Sequence, residues 1–173
     1  MEFHLEKDER TCTVHLLGSL TEEVERVFAA VVAELGERRT LVFDCGSVRR
    51  VHFLGMMAWI RGLEQLGAGV RWTFTRCGPE FINAALMVPR FCGGGLVESI
   101  YVDFTCVACG EVKPQLYRVS LRSAGLVQQP GVCRACSGAT LCDEDAPKDL
   151  EMLIAQNGGR DAVEEKDEEA QAA

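Results

Sequence analysis

Read for period, the chain begins with segments that switch between strand and helix spacing. Residues 11–17, TCTVHLL, mix β-branched and apolar side chains as a strand on a sheet does, and Gly18 is expected to end it. Thr21 is placed to cap a helix, with Glu22, Glu23 and Glu25 near the positive end of its dipole. Val24, Val27, Phe28, Val31, Val32 and Leu35 then recur at i, i+3, i+4, i+7, i+8 and i+11, a single apolar stripe closed by Gly36. TLVFDC is a short continuous apolar run, the pattern of a strand buried on both faces. After a loop, GSVRRVHF, a second helix is expected near Leu54, with Met56, Trp59, Ile60, Leu63 and Leu66 or Gly67 at helical spacing and Gly67-Ala68-Gly69 at its end. A third strand, VRWTFTRC, leads to Pro79, a good first residue for a helix that turns Phe81, Ile82, Ala85 and Leu86 inward. Strand and helix alternate three times. That order predicts an α/β fold with a mostly parallel sheet and right-handed crossovers.

The same residues carry a resemblance. VHLLGSLT, a helix, LVFDCGSVRRVHFLGMMAWIRGLEQL, a polar turn and VRWTFTRCGPEFINAAL resemble a STAS domain, the fold of bacterial anti-sigma-factor antagonists, over residues 1–100. Gly18 and Leu20 match the family's Gly-x-Leu turn, Asp44 its strand-ending Asp, and Gly55 the glycine of its Asp-Ser-Ser-Gly loop. Aligned on Gly55, His52 stands at the family's Asp, Phe53 at its phosphorylated serine and Leu54 at the next hydroxyl residue. A phosphate there would add charge at a helix start and switch partner binding, and Phe53 cannot accept one. The resemblance therefore implies a docking surface without the phospho-switch, formed by Arg49, Arg50, His52, Phe53, Leu54 and Met56. Its implied partner is a regulatory protein, an anti-sigma-factor-like kinase or another signalling protein. An aromatic residue beside two arginines suits an interface anchor. Phe53 turned inward to staple the helix, and arginines in a solvated loop, are the competing readings.

Nine cysteines change the picture beyond residue 100. Cys12, Cys45, Cys77 and Cys92 lie singly, whereas five crowd into residues 106–142. CVAC at 106–109 and CRAC at 133–136 are two Cys-x-x-Cys pairs, separated by 23 residues. Each pair can form a knuckle that offers two sulfurs, so Cys106, Cys109, Cys133 and Cys136 are expected to surround a structural Zn²⁺, in a module similar to a zinc ribbon. Gly110 and Ser137-Gly138 supply the backbone freedom that knuckles need. PQLYRVSLRSAGLVQQPGV between the pairs reads as a hairpin turning at Ser123 to Gly125. Arg134 and Lys113 are placed to offset the charge of four thiolates, and Cys142 competes with Cys136 for the fourth ligand place. Four cysteines fill the zinc shell, leaving no position for a reacting water.

Charge and composition complete the outline. The chain has 173 residues, 47% of them hydrophobic, and a net charge of −8. That is room for one core and a small satellite, drawn as 1–100, a ribbon at 101–148, and a short helix with an acidic tail at 149–173. The last segment carries two basic and eight acidic side chains, a composition that stays solvated and repels nucleic acid. No apolar run approaches the roughly 18 residues of a membrane span and the acidic start lacks a signal peptide's pattern, so a cytoplasmic address is expected. His4, His15 and His52 stand in no nucleophile-and-base arrangement, so no enzymatic activity is expected. A nucleic-acid-binding or transcription-associated ribbon is the alternative function, since residues 104–141 carry four basic side chains against one acidic.

Overall fold

The computed structural model describes residues 1–36, 38–67 and 69–158, and the acidic tail read from the sequence lies outside them. The chain is mixed α/β and divides into two compact units, Met1–Val97 and Glu98–Ala173. Among the described residues there are five helices and two sheets.

The first unit runs β1 (Glu2–Lys7), β2 (Thr11–Leu20), α1 (Val24–Leu35), β3 (Thr40–Val51), α2 (Phe53–Gln65), β4 (Arg71–Thr75), α3 (Pro79–Met87) and β5 (Leu96–Val97). Its strands lie side by side in chain order, with β1 antiparallel to β2 and the remaining pairs parallel. Phe43 on β3 and Phe74 on β4 face all three helices. Phe28 of α1 lies 5.9 Å from Phe43, Trp59 of α2 lies 4.9 Å from it, and Phe81 of α3 lies 5.4 Å from Phe74. Phe43, Trp59, Phe74, Phe81 and Phe91 are fully buried, and the Trp59 indole N–H donates to the Phe91 carbonyl at 2.9 Å, so the polar end of the largest side chain is satisfied. Each such ring removes enough apolar area from water for about 2 to 3 kcal/mol.

Two glycines set the helix positions. A Cβ on Gly62 would lie 2.1 Å from the Phe28 ring, so α2 approaches α1 only because that position is bare. A Cβ on Gly55 would lie 2.1 Å from the Leu20 carbonyl oxygen, which pins the start of α2 against the end of β2. The His52 N–H donates to the same carbonyl at 3.0 Å.

Several expectations are corrected here. Gly18 does not end β2. It takes φ +94 inside an irregular register, and the strand continues to Leu20. GSVRRV is strand and not loop, because β3 keeps pairing with β2 through Ser47, Val48, Arg50 and Val51. Thr21 does not cap α1. Its carbonyl accepts the Val24 N–H at 3.0 Å, while its hydroxyl is buried without a partner. Val32 is 55% exposed and leaves the apolar stripe. In TLVFDC, Leu41, Phe43 and Cys45 are buried on one face, while on the other Asp44 is buried and Thr40 and Val42 are half-buried.

The second unit holds β6 (Ser99–Cys106), β7 (Val112–Arg118), α4 (Leu121–Val127), β8 (Gly131–Val132), β9 (Ala139–Cys142) and α5 (Ala146–Gln156). Its sheet has the order β7-β6-β9-β8, antiparallel throughout. The expected turn at Ser123 to Gly125 is the body of α4. Ser120 caps it, its hydroxyl oxygen accepting the Ser123 N–H at 3.2 Å. The expected short helix begins at Ala146 and buries Leu150, Leu153 and Ile154, so it is part of this unit's core and not the start of a tail. No helix among the described residues is long and apolar enough to cross a membrane.

Candidate functional site

The end of β6 supplies Cys106 and the turn after it Cys109, while the turn between β8 and β9 supplies Cys133 and Cys136. The two turns are built alike. Gly110 N–H donates to the Cys106 carbonyl and Ser137 N–H to the Cys133 carbonyl, both at 2.9 Å. Cys106 N–H donates to the Glu111 carbonyl at 2.9 Å and Cys133 N–H to the Gly138 carbonyl at 2.8 Å. The fifth residue of each turn is left-handed, Gly110 at φ +73 and Ser137 at φ +59.

All four sulfurs lie within 4.8 Å of one another. Cys106 and Cys136 are separated by 3.5 Å and Cys109 and Cys133 by 3.8 Å. A tetrahedral thiolate site with metal–sulfur bonds of about 2.3 Å has sulfur–sulfur edges of roughly 3.8 Å, so the spacing fits. Gly138 lets the turns close: a Cβ there would stand 2.8 Å from the Ala108 Cβ and 3.2 Å from the sulfurs of Cys106 and Cys136. The four cysteines can therefore bind a metal ion. Cys142 lies outside the cluster, opposite Phe104 in the β6–β9 register.

Backbone N–H groups favour ionisation at each of the four sulfurs but prevail at only one. N–H groups of Cys109 and Ala108 directed at the Cys106 sulfur lower its pKa to about 6. The other three thiols move up. Each receives backbone N–H groups that work in the opposite direction, from Glu111 for Cys109, from Cys136 and Ala135 for Cys133 and from Gly138 for Cys136. Side-chain hydrogen bonds outweigh them, chiefly with Cys106 for Cys109 and Cys136, and for Cys133 burial does so together with Glu111. Cys106 and Cys133 are buried, Cys109 and Cys136 exposed. Lys113 and Arg134 line a groove that also reaches Cys133, Phe104 and Glu111.

The cysteines of the first unit are different in kind. Cys12, Cys45 and Cys77 are fully buried. Burial pushes the Cys45 thiol well above its ordinary value, reinforced by a hydrogen bond with Cys77, and pushes Cys92 up to about 12. Protonated, buried thiols behave as small apolar side chains.

The other residues singled out by sequence lie around the start of α2. Arg49 and Arg50 are exposed near the end of β3, and His52 is the exposed residue before the helix, with no side-chain cap. Phe53 is 69% exposed and Leu54 56%, so Phe53 does not staple the helix to the sheet, while Met56 is half-buried. Met57, 41% exposed, joins them and was missed by sequence reading, although its i+4 spacing from Phe53 was there to be used. Sequence reading also missed an ion network. Asp44, 5% exposed, accepts from His15 Nδ1 at 2.7 Å, from Arg76 Nε at 2.8 Å and from Gly46 N–H at 3.1 Å, and Arg76 makes a second contact to its other oxygen. His15 Nε2 reaches Glu6 at 3.3 Å, so the network links β1, β2, β3 and the exit of β4.

The sequence matches no protein-family model and no curated protein.

Proposed function

We propose that the chain is a non-enzymatic regulatory interaction module: a STAS-like first unit that docks a protein partner through the start of α2, joined to a ribbon braced by structural zinc. The observation that carries the docking assignment is the exposure of Phe53, Leu54 and Met57 together, beside Arg49 and Arg50. Apolar side chains left in water next to cationic ones have the make-up of an interface anchor with a polar rim. The STAS-like reading is supported by the strand and helix order and by Gly55 pressed against the Leu20 carbonyl, which gives its glycine a physical reason. Four sulfurs at tetrahedral spacing support zinc, since thiolate donors select borderline and soft ions over hard ones.

In this reading the partner is a regulatory protein of the anti-sigma-factor-like kinase class or another signalling protein, and no phosphate toggles the contact. Because Phe53 is exposed, Phe53→Ala is expected to change stability by less than about 0.5 kcal/mol while weakening partner capture at least tenfold, as is Arg50→Glu. Affinity purification from the native host, with both variants alongside, is the test. Retained capture by both would remove the docking face. A second reading, nucleic-acid binding by the ribbon, rests on Lys113 and Arg134 lining one groove, and a salt-dependent gel shift would favour it.

A further inference from the structure

The four-cysteine cluster has a neighbour that a purely structural site does not need. Glu111 is the one acidic side chain in residues 104–141, and it sits at the sulfurs. Its Oε2 accepts the Cys133 S–H at 3.3 Å. Four thiolates around a divalent cation carry a net charge of −2, so a carboxylate at this distance adds repulsion and no bracing. Glu111 and Cys133 also line the same groove, together with Lys113 and Arg134, so the carboxylate stands where a cation can reach it from solvent. Two of the four sulfur ligands, Cys109 and Cys136, are exposed, and the cluster is not sealed.

From this juxtaposition of a carboxylate, a cysteine ligand and a solvent-facing groove we infer that Glu111 is an exchange ligand: a fifth donor that receives a borderline-soft divalent cation on entry and takes it over from Cys133 on exit. Oxygen donors bind zinc at distances close to those of its other ligands, so a carboxylate can hold the ion while one thiolate is displaced. No electron is transferred. The thiol protons lost on binding go to solvent. The inference rests on the zinc reading and extends it: the ion braces the unit and can also be handed on.

The test uses the full-length zinc-loaded protein, whose second unit is folded, and follows release after a chromogenic chelator is added and uptake as the replacement of bound zinc by added cadmium ion. A donor shared by entry and exit lowers both barriers alike. Glu111→Gln is therefore expected to slow release and uptake each by about tenfold while leaving the equilibrium dissociation constant within about threefold, as barrier changes do. Glu111→Asp, which keeps the carboxylate, is expected to recover most of both rates, and Glu111→Ala, which like Glu111→Gln removes it and is expected to slow both rates about tenfold, serves as the working variant should Glu111→Gln fail to fold. Unchanged rates would make Glu111 a bystander. Faster release would make it a brace, and slower release with faster uptake and tighter binding would reduce it to simple repulsion. Each of these overturns the inference. Absence of about one zinc per wild-type chain would instead sink the zinc reading itself, so the two failures are separable.

Discussion

The cysteines of the two units are placed in opposite ways, singly in a buried core in one and gathered into a four-sulfur cluster in the other, and the difference shows how each unit is held. In Met1–Val97 the thiols of Cys12, Cys45 and Cys77 are sealed in a core of stacked rings, and burial raises those of Cys12 and Cys45. In the second unit Cys106 has backbone N–H groups aimed at its sulfur and is driven down to about 6. The first unit fully buries six large aromatic side chains. The second has no tryptophan, and its sheet includes a two-residue and a four-residue strand. Its apolar core, built mainly from β6, α4 and α5, is small, and a module of that size generally needs a staple. One unit is held by area removed from water, and the other also carries four cysteines that can bind a metal ion.

Metal removal should break this comparison most completely. Zinc bound by small cysteine-containing peptides is worth about 10 to 16 kcal/mol near neutral pH, far more than so small a core supplies. Chelation, or Cys133→Ser, is expected to unfold residues 98–158 and spare the first unit. Trp59 and Trp72 are the chain's two tryptophans and both belong to the first unit, so their emission should stay constant while far-ultraviolet circular dichroism falls.

Phe43→Ala is the reciprocal experiment. Phe43 contacts Phe28, Trp59 and Phe74, so the substitution is expected to cost the first unit about 3 to 5 kcal/mol, read by denaturant titration of tryptophan emission, with metal content unchanged.

Acid is a milder way to part the two units. The pKa of Cys106 is depressed, so its thiolate is available above that value and lost below it. Metal affinity should therefore fall with pH already below the ordinary thiol range, where Cys109, Cys133 and Cys136 must each give up a proton to bind, and more steeply below about 6, where Cys106 must as well, releasing the ion and loosening the second unit first, which metal-indicator titration would record.

The smallest effect sharpens the likeness of the two turns. Ser137 holds the left-handed conformation that Gly110 holds in the other turn, so Ser137→Gly should remove a strain of about 1 kcal/mol and raise the melting temperature of the second unit slightly.

The elements legible in the sequence are those whose period is set by one buried face. The α1 stripe, the apolar run at β3 and the paired cysteines fall in this group, because burial or ligation dictates the residue type at each position. What escaped is polar for physical reasons. β1, EFHLEK, is an edge strand whose alternate residues face water, and GSVRRV pairs with β2 through backbone groups while its side chains are largely exposed. The helix α4 contains Ser and Gly, poor helix formers, and stands because Ser120 caps it and Ala124 and Val127 are buried. Val32 shows the converse error, an apolar residue at helical spacing that the fold leaves in solvent. At the candidate sites, spacing identified the four sulfurs and the start of α2. Glu111 could not be placed beside Cys133 from sequence, nor Asp44 between His15 and Arg76, because those contacts join side chains that lie far apart in the chain or on different elements.

Hydrogen exchange of the full-length protein, followed by mass spectrometry with and without a zinc chelator, tests the division of labour most directly. Amides of residues 98–158 should lose protection on chelation while those of 1–97 keep theirs. Protection retained in both units after the metal is stripped, or lost from both together, would contradict it.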